Sequence, residues 1–429
     1  MEQAIIAIAI LFFLGHALKW FFIKTKIPDL LILVLIGYLA GPVFGYIDAS
    51  DFGKVGGLLS TLALVVILYE GGLKLKTSDL VSSSLPAAGL SLIGFISITF
   101  IAFIVAWVFA KQEWHIALLL GLGMGSTSSA VVIPMVQFLS CRERTKTILS
   151  LESAFTDVLA IVCFLVITDG IVANAINAED LIIGIGPKTI SSILMGIGFG
   201  IFWAILRQKF KNFTSMTFST ESFVLLSYGL VGVTGFNGAM AVLALGFTLA
   251  NLNLLPQWSH QYLRMKPISY KEMSLLGEIS FLLKTIFFIY LGILIKFSNW
   301  QSVAIALVLS LMIFITRYFT VKAVYKKDKS TKQDAMVTVA MGPRGLACAV
   351  LATIPIQRGI VGGQWIQDVL FAIIPFSIIL TAIFVMFSEQ VNTRELFNKF
   401  FTGYLDKAPE ETNEEVAEIK STTKTISST

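Results

Sequence analysis

The chain has 429 residues, of which 56% are hydrophobic and 14% charged, with a mean hydropathy of +0.82. Soluble domains carry about 25% charged residues, so a soluble enzyme of this length is excluded. The net charge of +5 does not point to nucleic acid, because the basic residues fall in short loops beside apolar runs.

A membrane-crossing helix takes about 20 mostly apolar residues. That window divides the chain into thirteen spans: 3–23, 28–47, 55–73, 84–110, 115–139, 147–168, 188–206, 219–234, 236–252, 273–295, 299–321, 333–356 and 366–388. The expected fold is an all-α polytopic membrane protein. Span 1 is not a cleavable signal peptide, since it lacks a basic leader and its apolar run is too long. Spans 8 and 9 are short. The three cysteines, Cys141, Cys163 and Cys348, have neither disulfide nor zinc spacing.

Loops after odd-numbered spans hold 18 Lys and Arg, and loops after even-numbered spans hold 5. The positive-inside rule places the richer side in the cytoplasm of a cell-membrane protein, with the N-terminus outside and the C-terminus inside. After Glu389 the hydropathy collapses. The tail 389–429 carries Glu410, Glu411, Glu414, Glu415 and Glu418, and reads as a disordered cytoplasmic segment. No G-x-G-x-x-G unit follows a strand, so no nucleotide-binding domain is expected.

Spans 5 and 12 are interrupted. Span 5 reads Gly121-Leu-Gly-Met-Gly-Ser-Thr-Ser-Ser-Ala130, and span 12 reads Ala340-Met-Gly-Pro-Arg-Gly345. Proline lacks an N–H and clashes with the preceding turn, so a break is predicted at Gly342-Pro343. Such breaks persist in hydrocarbon only when they are buried in protein or line a wet cavity. The two lie an odd number of spans apart and therefore point in opposite directions. Spans 1–6 and 8–13 are then inverted repeats with crossing broken helices, the build of many secondary transporters.

Five ionisable residues sit inside apolar spans: Glu70, Glu152, Asp157, Lys284 and Arg344. Each is expensive in hydrocarbon and should face the protein interior. Asp157 lies mid-span directly after the broken span 5. A carboxylate there can hold a proton or a small cation, but not both well, and that competition is the physical basis of exchange. Glu152 lies five residues earlier, about 140° round the helix. It is expected to pair with Arg344 as a structural ion pair. Glu70 either reaches the ion site or lies among the headgroups. Lys284 is too deep to snorkel, and an internal counter-charge to Asp157 is one role open to it. Thr127, Ser128, Ser129, Ser153 and Thr156 offer oxygens suited to a hard alkali cation, although most membrane Ser and Thr merely bond back to helix carbonyls. The five charges sum to −1, one short of neutral, as a site awaiting one monovalent cation or one proton would be.

The sequence resembles the monovalent cation:proton antiporters, in particular the NhaP-like sodium/proton exchanger group, over essentially all of residues 1–390. The resemblance rests on Tyr69-Glu-Gly-Gly-Leu73, Thr127-Ser-Ser-Ala-Val-Val-Ile-Pro134, Glu152-Ser-Ala-Phe-Thr-Asp157, Phe287-Phe-Ile-Tyr-Leu-Gly292 and Gly342-Pro-Arg-Gly-Leu346. It implies a homodimer in the bilayer, with a dimerisation scaffold (spans 1–3 and 7–10) and a moving core (spans 4–6 and 11–13). It implies that Asp157 carries cation and proton alternately, that Glu70 and Thr127 contribute to the alkali-cation site, and that Glu152 and Arg344 pair. Thr156 before the acid, Ser128 at the break and Lys284 depart from the NhaP-like pattern. The Ser-Ser break and the Asp-Val-Leu-Ala-Ile run look more like Kef-type potassium/proton exchangers.

The expected function is exchange of Na⁺ or K⁺ for H⁺ by alternating access, at Asp157 with Thr156, Thr127, Ser128, Ser153 and Glu70, and without a cofactor. A channel would need a continuous polar stripe, whereas the interruptions here are local. An intramembrane protease would need a Ser–His pair or H-E-x-x-H. His16, His115 and His260 lie at span ends or in a loop, so the chain does not read as an enzyme. A non-transporting sensor or scaffold would have little use for five buried charges.

Overall fold

The computed structural model describes residues 10–22 (12 and 19 excepted), 28–48, 52–75, 84–173, 186–209, 219–252, 270–295, 299–327, 330–389 and 401–406. Among these, every named element is a helix. Helical residues between 10 and 22 form α1. Then follow α2 (Asp29–Tyr38, extended by a π-turn over Leu39–Val43 around Pro42), α3 (Gly53–Lys74) and α4 (Ser84–Ile104). Next come α5 (Trp114–Met124), α6 (Ser129–Val136), α7 (Glu143–Val172), α8 (Gly186–Lys209), α9 (Ser219–Val233) and α10 (Gly238–Ala250). The last are α11 (Tyr270–Leu294), α12 (Trp300–Val324), α13 (Lys332–Ala340), α14 (Leu346–Gln357) and α15 (Gly363–Glu389).

Among the described residues, eight stretches are long and apolar enough to cross a membrane, including Trp114–Val136, which α5 and α6 share. The helices of spans 8 and 9 are short, at 15 and 13 residues. Their neighbours are apolar, so packing rather than amphipathic patterning holds them. Local signals set several starts. The Asn237 side chain accepts from the N–H groups of Ala239 and Met240 at the head of α10, and Thr331 with Asp334 forms a capping box on α13.

Spans 5 and 12 are each split into two half-helices, at Gly125–Ser128 and at Met341–Gly345. The helix contacts pair up as an inverted repeat requires. Helix α2 packs on α11 and α10 packs on α3, so spans 2 and 10 match spans 9 and 3. Both crossings are reciprocal glycine contacts. A Cβ on Gly37 would stand 2.0 Å from the Ile289 carbonyl oxygen, and one on Gly292 would stand 2.2 Å from that of Val34. At the matching crossing, a Cβ on Gly72 would stand 2.4 Å from the Leu243 carbonyl oxygen, and one on Gly246 would stand 2.6 Å from that of Tyr69. Small residues let the backbones approach where lipid offers no hydrophobic drive.

Neighbouring helices fall into two groups. One comprises α2, α3 and α8–α11, and the other α4–α7 and α12–α15. They meet where α14 and α7 touch α3, where α15 touches α2 and where α14 touches α11. The tail was expected to be disordered from 389 onwards. Its described part, 401–406, is instead packed: Leu405 bridges Thr331, and Phe401 and Tyr404 join a buried cluster with Ala87, Leu90, Tyr325 and Met336. The rest of the tail lies outside the described residues.

Candidate cation and proton site at the crossing of two broken helices

The breaks leave backbone groups without helical partners, and the crossing satisfies them. The Ser128 N–H donates to the Pro343 carbonyl at 2.8 Å, joining break to break. The Thr127 N–H donates to Thr156 Oγ1 at 3.0 Å, and the Arg344 N–H to Ser377 Oγ at 2.9 Å. The chains pass so closely that a Cβ on Gly345 would lie 2.1 Å from Ser128 Oγ.

The four half-helix ends sort by charge. The C-terminal ends of α5 and α13, where helix dipoles are negative, meet arginines. Arg344 Nη1 donates to the Ser126 carbonyl at 2.6 Å and to Thr127 Oγ1 at 3.1 Å, beyond the end of α5. Arg317 donates to the Thr338 carbonyl of α13 from Nε at 3.0 Å and Nη2 at 2.9 Å. The positive N-terminal ends of α6 and α14 instead open on the cavity that holds Asp157, through Ser129 and through Leu346 and Ala347.

That cavity has a volume of about 30 Å³ and brings Asp157 together with Ser128, Ser129, Glu70, Lys74 and Lys284. It has room for about two or three water-sized species, since a water needs roughly 10–15 Å³ by this measure. Asp157 Oδ2 accepts from Ser129 Oγ at 2.9 Å. Asp157 Oδ1 and Ser128 Oγ are buried without a hydrogen-bond partner among the described residues. Buried polar atoms are rarely left in that state, so two orphaned oxygens on one small cavity mark a place where something binds.

The other expected site residues are distributed differently. Glu70 faces the same cavity, but both its oxygens are taken: Oε1 by Lys74 at 2.7 Å and Oε2 by Lys284 at 2.9 Å. Lys284 therefore pairs with Glu70 and not with Asp157. Thr127 Oγ1 accepts from Arg344. Thr156 Oγ1 accepts from the Thr127 N–H and donates to the Ser153 carbonyl at 3.2 Å, fastening the break to α7. Ser153 Oγ bonds back to the Ser150 carbonyl at 2.9 Å.

Glu152 pairs with Arg317, not with Arg344. Arg317 Nη1 and Nη2 reach the two Glu152 oxygens at 2.6 and 3.0 Å, a bidentate geometry. The Ser126 carbonyl and the Thr127 hydroxyl, beyond the end of α5, take Arg344 instead. Arg317 also corrects the charge count. With it and with Lys74, which bonds Glu70 on the same cavity, the set Glu70, Glu152, Asp157, Lys74, Lys284, Arg317 and Arg344 sums to +1 when Asp157 is ionised. The inference from a single missing charge does not survive. Lys74, one residue beyond the span 55–73, reaches the site through its i,i+4 spacing from Glu70.

A profile of the transmembrane sodium/hydrogen exchangers matches residues 6–387. The chain belongs to the sodium/hydrogen exchanger family. It is 25% identical over 369 residues to the K(+)/H(+) antiporter NhaP2 of Shewanella sp. (strain ANA-3), covering 83% of this chain and 61% of that one. The chain thus spans about 61% of the length of that relative. It is 22% identical over 408 residues to the low-affinity Na(+)/H(+) antiporter NhaS1 of Synechocystis sp. (strain ATCC 27184 / PCC 6803 / Kazusa), covering 90% and 74% of the two chains. Its fold matches the structure of the sodium proton antiporter MjNhaP1 from Methanocaldococcus jannaschii with a TM-score of 0.68 at 22% identity, over 89% of this chain and 99% of that one. Membership of the family fixes a multi-pass membrane protein.

Proposed function

We propose that the chain is a secondary antiporter that exchanges a monovalent cation, Na⁺ or K⁺, for H⁺ at Asp157. The carrying observation is the pair of orphaned oxygens, Asp157 Oδ1 and Ser128 Oγ, on the small cavity at the helix crossing. The relatives named as K(+)/H(+) and Na(+)/H(+) antiporters support the reaction class. Asp157 holds either a proton or the cation, and the hydroxyls of Ser128 and Ser129 supply further oxygens for a dehydrated alkali ion. Two half-helix N-termini that open on the cavity favour a negative charge on the carboxylate.

Glu70 is not a ligand in this reading. It holds the two lysine ammonium groups on one side of the cavity. Thr127, Thr156 and Arg344 keep the two breaks in register.

Alternating access then moves α4–α7 and α12–α15 against a scaffold of α1–α3 and α8–α11, which forms the homodimer. The protein sits in the cell membrane with its N-terminus outside and its C-terminus in the cytoplasm. It acts as a transporter and not as an enzyme.

Reconstitution into proteoliposomes with an internal pH dye tests this. Adding Na⁺ or K⁺ outside should drive H⁺ across the membrane, and Asp157→Asn should abolish that movement. Cation-driven proton movement unchanged in Asp157→Asn refutes the site. No cation-driven movement in the unaltered protein refutes the function.

A further inference from the structure

A second cavity, of about 330 Å³, opens away from the crossing. Three membrane-crossing helices end in it. Pro86 stands in the first turn of α4, Ile148 near the start of α7, and Val324 is the last residue of α12. All three helices are long and apolar, so their common end marks the edge of the hydrocarbon layer. These three side chains give the cavity an apolar wall. The rest of its lining is polar, with three basic residues, Arg142, Arg144 and Lys326, beside Thr145, Tyr325 and Ser330. Arg142 is held by Asp334, with Nε 2.6 Å from Oδ2. Arg144 and Lys326 are exposed and have no ion-pair partner among the described residues.

We propose that this cavity binds the phosphate headgroup of an anionic phospholipid, with Arg144 and Lys326 on the phosphate and the apolar wall against the glycerol and first acyl carbons. An apolar wall beneath a basic rim at the end of membrane spans matches an anionic lipid, and basic pockets between membrane helices at that level take such headgroups. A free anion would leave the wall uncovered. The chain's own acidic run is the competing occupant. It follows residues held beside the cavity, since the Leu405 N–H donates to the Ser330 carbonyl at 3.2 Å and Lys332 pairs with Asp406 at 2.6 Å. Its Pro409-Glu-Glu-Thr-Asn-Glu-Glu415 stretch, however, has little apolar surface to offer the wall. A lipid seated here would touch α4, α7 and α12 together and steady their ends against the bilayer surface. The proposal does not depend on Asp157 or on transport.

Native mass spectrometry of the full chain tests it, with phosphatidylglycerol and phosphatidylcholine offered in equal amounts. Phosphatidylglycerol should be retained severalfold over phosphatidylcholine. The double variant Arg144→Gln/Lys326→Gln should lose that preference at an unchanged melting temperature, and Arg144→Lys should keep most of it. Equal retention by the unaltered protein and the double variant overturns the proposal. So does full displacement of the lipid by millimolar inorganic phosphate, which would make this a free-anion site. A preference for phosphatidylglycerol seen only after residues 407–429 are removed would assign the cavity to the tail and overturn it as well.

Discussion

The two sides of the helix crossing are wired with opposite charge and are finished to different degrees. On one side, the negative ends of α5 and α13 face Arg344 and Arg317, and Glu152 is gripped by Arg317 through both oxygens, although Arg344 Nε is left without a partner among the described residues. On the other, the positive ends of α6 and α14 face Asp157, which has one bonded oxygen and one orphan. Both acids sit on α7, five residues apart. A fully satisfied pair leaves nothing to bind and serves to hold the breaks together. A half-satisfied carboxylate in a small cavity retains capacity for an ion. On the proposed function, the side of the crossing an acid occupies therefore separates structure from transport.

The largest effect should come from neutralising the unfinished side. Asp157→Asn keeps the shape and the Ser129 contact but removes the charge, so exchange should fall to the background of empty liposomes. The detergent-solubilised protein should melt at its normal temperature. A large drop in melting temperature would mean that Asp157, like Glu152, is structural.

Glu152→Gln should do the reverse. It leaves Arg317 charged, buried and without its carboxylate, and breaking such a pair destabilises by about 3–5 kcal/mol. Thermal unfolding should show that loss, and Glu152→Gln/Arg317→Gln should recover part of it as a double-mutant cycle. The recovery will be incomplete, because Arg317 also donates to the Thr338 carbonyl. Equal stability of Glu152→Gln and the unaltered protein would end the comparison of the two sides.

Thr156→Val probes the joint between them. Its hydroxyl is the partner of the buried Thr127 N–H. An unsatisfied buried donor costs about 1–3 kcal/mol. Thermal unfolding should register a loss in that range. Exchange should slow without a change of ion preference, because the hydroxyl fastens the break and does not face the ion.

Much of this was legible before any coordinates. Gly, Ser and Pro in mid-span marked both breaks, because those residues weaken or interrupt a helix and nothing else excuses them in hydrocarbon. Asp157 stood out as an acid in a run of apolar residues. The partners did not stand out. Arg317 lies near the basic end of its span, in Arg317-Tyr-Phe-Thr-Val-Lys322, and reads as a flanking charge until α13 is seen to deliver the Thr338 carbonyl to it. Glu152 and Arg344 looked like partners because they were the deepest unassigned opposite charges. Which arginine wins depends on where the half-helix ends point, and no spacing along the chain records that. Residues 401–406 follow the same rule: nothing local makes them stick, and their packing depends on the start of α13, more than 70 residues earlier, through the 2.6 Å contact of Lys332 with Asp406.

The smallest effect should follow Ser129→Ala. Ser129 Oγ is the side-chain donor bonded to Asp157 Oδ2, and a hydrogen bond to a charged group is worth roughly 1.5–3 kcal/mol. The cavity of about 30 Å³ has room for a water to take over that role, since one water requires about 10–15 Å³. The variant should therefore keep its melting temperature and its maximal exchange rate. The cation concentration for half-maximal exchange should rise only several-fold, as one protein oxygen is replaced by a mobile one. Ser129→Thr, which retains the hydroxyl, should stay near the unaltered value if its extra methyl is accommodated. A loss in Ser129→Ala as complete as that in Asp157→Asn would show that the hydroxyl is an obligatory ligand, and that the second oxygen of Asp157 is not the free position the ion uses.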